Sequence, residues 1–293
     1  MRSRPTLALM FIIFISVQLL ALLLVPLYGG YQAFPSPNDP IYPILYVILL
    51  IGMTALILLL LRAGLGILIR GFFLFAIGVS TAVVALPLVY LVVPDANISF
   101  LISIALGVLL VIALIFRPEW YVVNIAGFII GVGAAMILGI SLGILPVLIL
   151  LIILAVYDAI SVYKTKHMIT LAEGVVPLRL PVLFVVPKEK GFKMEDLDKK
   201  PITETEPEER EAMFMGVGDA VIPAILTISA YVFLPTTTAG NAYASLFVAL
   251  GTMVGSAVGF MVLMRYVLKG NPQAGLPLLN GGAIIGFLIT YLL

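Results

Sequence analysis

The 293-residue chain has no cysteine, a single histidine, a single tryptophan and few charges, and each shortage removes a class of chemistry. Without cysteine there are no disulfides, no thiolate nucleophile and no thiolate-ligated metal. His167 has no second histidine with which to build a His-Glu-x-x-His zinc site, and it lies in a polar stretch outside the apolar runs, where it cannot serve a membrane-embedded Ser–His pair through Ser256. No metal and no cofactor is expected. Charged residues make up 11% of the chain and the net charge is +1, which points to no nucleic acid partner. Apolar residues, in contrast, reach 62%, with a mean hydropathy of +1.23. Such a chain has too little polar surface to cover itself in water, and it reads as a polytopic membrane protein.

Apolar runs able to cross about 30 Å of hydrocarbon, which takes about 20 residues, cover 6–28, 41–61, 71–93, 98–116, 120–140, 144–163, 213–234, 241–268 and 275–293. The sequence therefore predicts an all-α fold of nine transmembrane helices. The first run is longer than a signal sequence core and lacks an Ala-x-Ala end, so it reads as retained. Lysine and arginine flanking short loops stay on the cytoplasmic side. With the amino terminus placed there, Arg2, Arg4, Arg62, Arg70, Arg117, Arg265, Lys269 and the cluster from Lys164 to Arg210 all fall on that side. The opposite loops carry only Asp39 and Asp95, and an odd span count leaves the carboxyl terminus outside.

The predicted organisation is one membrane domain, with spans one to six in 1–163, a cytoplasmic polar loop in 164–212 and spans seven to nine in 213–293. The acidic half of the loop has the composition of a disordered linker. Its first half contains Pro-Leu-Arg-Leu-Pro-Val-Leu-Phe-Val-Val-Pro, a β-prone stretch between prolines. One reading is a loop skimming the membrane surface. In the other, Leu180–Val186 offers a strand edge to an extended substrate.

Asp158 and Asp219 stand apart, because they are the acidic residues inside the apolar runs. An uncompensated carboxylate costs roughly 2.5–3.5 kcal/mol at a bilayer centre, so two of them require a reason. Asp158 lies six residues before Lys164 and Asp219 eight after Glu211. At 1.5 Å per helical residue those are depths of roughly 9 and 12 Å on antiparallel helices. If spans six and seven are neighbours, the carboxyls face each other. Two close carboxyls do not both ionise readily, so the pair shares one proton, the state that serves peptide hydrolysis. The rival reading is a proton- or cation-coupled transporter that uses the buried aspartates to carry its ion.

Around these aspartates stand Leu-Ala-Val-Tyr-Asp-Ala-Ile-Ser-Val-Tyr, Met-Gly-Val-Gly-Asp-Ala-Val-Ile-Pro and Gly-Leu-Pro-Leu-Leu-Asn-Gly-Gly. Together they resemble the presenilin and signal peptide peptidase family of GxGD intramembrane aspartyl proteases, most closely its archaeal members. That family carries Tyr-Asp, Gly-x-Gly-Asp and Pro-Ala-Leu on spans six, seven and nine of a nine-span fold. Tyr157-Asp158 and Gly216-Val217-Gly218-Asp219 match fully. Pro277-Leu278-Leu279 departs at its middle residue, and a register through Ala274-Gly275-Leu276 fits worse because it loses the proline. The resemblance implies that Asp158 and Asp219 are catalytic and that the turn at Pro277 lines the site. It also implies cleavage of single-span transmembrane proteins or peptides in or near their membrane segments, within a lipid bilayer. The continuation Gly-Asp-Ala-Val-Ile-Pro is closer to signal peptide peptidases, while a cytoplasmic amino terminus is similar to presenilins. Short termini and spare loops suit a prokaryotic plasma membrane, and a homo-oligomer remains compatible with the sequence.

The supporting residues each carry a second reading. Gly216 and Gly218 either allow close helix packing or let substrate backbone approach Asp219. Tyr157, about 100° around the helix from Asp158, is either a packing ring or a hydrogen-bonding partner. Pro277 either starts a helix or shapes the site. Gly251, Gly255 and Gly259, like Gly127, Gly131 and Ala135, form small-residue ridges for helix packing, and Gln18 and Asn124 can bridge helices.

Overall fold

The structure, a computed structural model, describes residues 3–28, 32–165, 180–188, 191–192, 194, 212–234, 244–268 and 273–293. Within them run nine helices. These are α1 (Ser3–Leu24), α2 (Ile41–Arg62), α3 (Gly66–Val92), α4 (Ala96–Phe116), α5 (Trp120–Ser141), α6 (Ile144–Ile160), α7 (Val217–Phe233), α8 (Ala244–Val267) and α9 (Leu276–Leu292). α6 continues into a π-helical turn, Ser161–Thr165. Hydrocarbon offers no partner to a backbone N–H or C=O, so long uncharged runs satisfy themselves as helices. Seven of the helices are long and apolar enough to cross a membrane, whereas α7 and α9 are apolar but shorter.

Polar residues at the helix ends do local work. Asp39 accepts the Ile41 N–H at 2.9 Å, and Asp95 accepts the Ile98 N–H at 2.9 Å, so these two acids cap the starts of α2 and α4. At the end of α2, Gly64 adopts φ 73°, and the Leu65 and Gly64 N–H groups return to the carbonyls of Leu60 and Leu61. This left-handed closure favours glycine and turns the chain into α3.

The β-prone stretch in the loop does form a strand, and a second strand stands where span seven was expected to begin. Strand β1 (Leu183–Pro187) pairs antiparallel with β2 (Ala212–Gly216), in the register Leu183↔Gly216 and Val185↔Phe214. The run expected to begin span seven at 213 is therefore a strand, and the helix begins at Val217. Short apolar runs carry no periodicity that separates strand from helix, which is why 213–216 read as helical. The depth of 12 Å assigned to Asp219 assumed helical rise throughout, and it does not hold over an extended stretch. The linker character assigned to the acidic half of the loop falls outside the described residues, as does His167.

The edge assigned to β1 also changes. Asn124 of α5 donates through Nδ2 to the Val185 carbonyl at 2.8 Å and accepts the Val185 N–H through Oδ1 at 2.8 Å. Its side-chain amide acts as a third strand and closes the outer edge of β1 at that residue. Partners alternate along an antiparallel ladder. Since Val185 turns away from β2, Phe184 and Val186 turn toward it, opposite Met215 and Met213. Ala212, Phe214 and Gly216 then direct their backbone groups to the outer edge of β2. The Val217 N–H, donating to the Val182 carbonyl at 3.0 Å, continues the same alternation.

The chain divides into two compact units. The first holds residues 1–10, 52–133 and 169–217. Its core joins Ile77, Leu114, Val123 and Ala126 to Val185 of β1, and α3 and α4 touch backbone to backbone at Gly78 and Gly107. The second holds residues 11–51, 134–168 and 218–293. There Gln18 of α1 meets Ser256 of α8 at 3.1 Å and Thr227 of α7 at 3.3 Å, all three fully buried. The ridge of Gly251, Gly255 and Gly259 packs as expected. An added Cβ would strike Thr290 at Gly251, the Gly282 carbonyl at Gly255 and the Leu278 carbonyl at Gly259.

Candidate functional site

Asp158 sits two residues from the end of α6, a helix without a basic residue, and is buried at 8% exposure. Its partner is the start of α9. The first N–H groups of a helix have no internal acceptor. Here the Leu276 N–H donates to Asp158 Oδ2 at 3.0 Å, and the Gly275 N–H is also directed at this carboxyl. Pro277, the second helical residue, has no N–H to leave unsatisfied and a backbone angle already suited to a helix start. The Leu278 and Leu279 N–H groups close the first turn on the Gly275 carbonyl at 3.2 and 3.1 Å.

Asp219 lies in the first turn of α7 and is half-buried. A Cβ built on Gly275 would stand 3.5 Å from Asp219 Oδ1. The two carboxyls therefore border consecutive residues at the start of α9, Asp219 against the capping residue Gly275 and Asp158 against the first helical residue Leu276. Those contacts and standard backbone dimensions bound the oxygens to within about 10 Å of one another.

The supporting residues separate. Pro277 and Leu278 are half-buried and Leu279 is fully buried, with the Leu278 carbonyl turned toward Gly259. Gly275 and Leu276, from the register that lost the proline, supply the contacts to the carboxyls. Tyr157 is half-buried one residue before Asp158. Gly216 ends β2, and Gly218 is exposed with nothing among the described residues within 4 Å of an added Cβ, so packing against those residues is not what requires glycine at 218.

Sequence reasoning passed over Asn280 and Tyr163. Asn280 is buried at 1% exposure and donates to the Leu151 carbonyl of α6 at 2.9 Å, while its Oδ1 has no hydrogen-bond partner among the described residues. Tyr163 donates to Gln273 Oε1 at 3.0 Å. A polar residue one turn into an apolar span was the available signal for Asn280. The bond of Tyr163 spans 110 positions and left no trace in local pattern.

Residues 10–293 match the family described as signal-peptide peptidase, presenilin aspartyl protease. Among solved structures, a presenilin family intramembrane aspartate protease in space group C222 is 36% identical to this chain, with a TM-score of 0.70 and coverage of 98% of each chain. A second, in space group P2, is 36% identical with a TM-score of 0.67, covering 97% of this chain and 96% of that one. A search of curated proteins returned no match. Identity at that level over almost the whole of both chains exceeds what shared helical composition could produce. The chain belongs to the signal-peptide peptidase and presenilin family of aspartyl proteases.

Proposed function

We propose that the intramembrane aspartyl protease activity of this chain resides in Asp158 and Asp219, which share one proton across the start of α9. The single observation that supports this reading most is that Gly275 and Leu276, adjacent in sequence, border both carboxyls. In this mechanism the ionised member takes a proton from the water attacking the scissile carbonyl, and the protonated member delivers a proton to the carbonyl oxygen. The pair, not either residue alone, sets the apparent ionisation, so acid and base roles are interchangeable between substrate complexes. A shared proton also leaves one net charge to be desolvated where two would be prohibitive. A carrier function has no support from the family match.

All nine helices cross the membrane in this reading, with the amino terminus cytoplasmic, the carboxyl terminus outside and residues 164–212 on the cytoplasmic side. The substrates are single-span membrane proteins of a prokaryotic plasma membrane. A helical peptide bond has its carbonyl engaged in backbone hydrogen bonds, so a substrate unwinds before it is cut. The outer edge of β2 offers Ala212, Phe214 and Gly216 to such an unwound segment, in place of the β1 edge that Asn124 closes. β2 leads directly into the helix that carries Asp219, and Phe214 lies five residues before it.

Cleavage of a labelled transmembrane peptide by purified protein tests the dyad. Asp158→Ala and Asp219→Ala each abolish cleavage, and turnover that survives in either removes that residue from the chemistry. The strand is tested by comparing Phe214→Ala, which keeps the edge N–H, with Phe214→Pro, which removes it. Phe214→Pro slows cleavage at least about fivefold more, the worth of one lost hydrogen bond. Equal rates would discard the β2 edge as a substrate site.

A further inference from the structure

Two side chains at the end of α6 grip the same four residues. Asp158 accepts the Leu276 N–H, and Tyr163 holds the chain just before it, donating to Gln273 Oε1 at 3.0 Å and accepting the Ala274 N–H at 3.4 Å. Five residues separate Asp158 from Tyr163. On an α-helix that spacing places them about 140° apart. The π-helical turn Ser161–Thr165, with its i to i+5 bonding, widens the helix and returns Tyr163 toward the face that bears Asp158. Below Leu276, Asn280 ties the same helix to the Leu151 carbonyl. The start of α9 is thus anchored one turn deeper by Asn280 and outward by Tyr163, with the Asp158 contact between the two anchors.

We infer that Tyr163 is a positioning residue for catalysis: its hydroxyl fixes residues 273–276 so that the α9 N-terminus stays aimed at Asp158. The inference rests on the dyad reading above. Tyr163 is 56% exposed, and an exposed tyrosine at the end of a span is ordinarily an interfacial anchor that lays its ring at the headgroup level. What separates the two roles is the oxygen. An interfacial ring tolerates loss of its hydroxyl, whereas a latch built from two hydrogen bonds to 273–274 does not. Loss of the latch leaves residues 273–276 held from the deeper side alone, by the Asp158 contact and by Asn280 one turn further in, so Asp158 loses a firmly fixed partner while the fold, held by the α8–α9 glycine interface, stays intact.

The test compares Tyr163→Phe, Gln273→Ala and the double variant with the full-length parent in lipid vesicles, on a labelled transmembrane peptide. Tyr163→Phe lowers kcat about five- to tenfold with KM within about twofold and an unchanged thermal midpoint. Gln273→Ala lowers kcat by a smaller factor, and the double variant is no slower than Tyr163→Phe, because both changes break one contact. An unchanged kcat in Tyr163→Phe, or single effects that multiply in the double variant, would overturn the latch. A rise in KM alone would also overturn it, by placing the hydroxyl against substrate. Failure of the dyad reads differently: Asp158→Ala then remains active whatever Tyr163→Phe does.

Discussion

At the residue scale, Asn280 is the least economical side chain in the second unit. It contributes one hydrogen bond to Leu151 and buries an oxygen with no partner among the described residues. Leaving a buried acceptor unsatisfied costs about 1–3 kcal/mol, comparable to or more than the bond itself contributes. A residue retained against stability points to a role in the site, here the register of α9 against α6. Asn280→Leu therefore keeps or raises the thermal midpoint while lowering kcat about tenfold. Parallel melting curves and peptide turnover check this, and a variant as active as the parent would reduce Asn280 to packing. Gln18 is the contrasting case, since its carboxamide is shared by Thr227 and Ser256 on two other helices. Gln18→Leu leaves those two hydroxyls without this shared partner, so it lowers stability by about 1–2 kcal/mol, read as a lower midpoint.

At the scale of elements, the glycines divide by what surrounds them. Gly255 meets Gly282 and Gly286 of α9 across the α8–α9 interface, where even one Cβ would collide with backbone. Gly255→Val pushes α9 away from α8, and with it the Leu276 N–H that serves Asp158. Activity and thermal midpoint fall together in this variant. At Gly218 a Cβ meets nothing within 4 Å among the described residues, so Gly218→Ala leaves the midpoint unchanged. Slower cleavage there assigns the open space to substrate, and unchanged cleavage assigns it to none. The same contrast explains what was legible. The ridge on α8 repeats every four residues and could be read directly, whereas its counterpart, Gly282 and Gly286, also spaced by four, was overlooked beside the proline motif. Asp158 and Asp219 stood out in the sequence because each is an acidic residue inside an apolar run. β2 was not legible, because Met-Phe-Met-Gly fits a strand or a helix equally and only pairing with Val185 and its neighbours decides between them. Asn124 was seen as a bridging residue, but its partner turned out to be a strand edge where a helix was anticipated.

At the scale of the whole molecule, the proposed orientation follows from charge placement, and the absence of cysteine makes it directly measurable. Every introduced cysteine is the only thiol in the chain, so labelling by a membrane-impermeant maleimide reports one position without background. Ser36 and Asn97 are exposed beside the caps of α2 and α4, and Ala63 and Lys164 are exposed at the ends of α2 and α6. None of the four belongs to the site built around Asp158 and Asp219. With the amino terminus cytoplasmic, Ser36→Cys and Asn97→Cys label only from the outer face of sealed vesicles, and Ala63→Cys and Lys164→Cys only from the cytoplasmic face. The pairing matters more than any single result. Helices α2 and α3 separate Ser36, Ala63 and Asn97 in turn, so an even shift in span count would leave this alternation intact while an inverted chain would exchange all four. Exchange of all four would reverse the proposed orientation, and substrates would then present their unwound segments from outside.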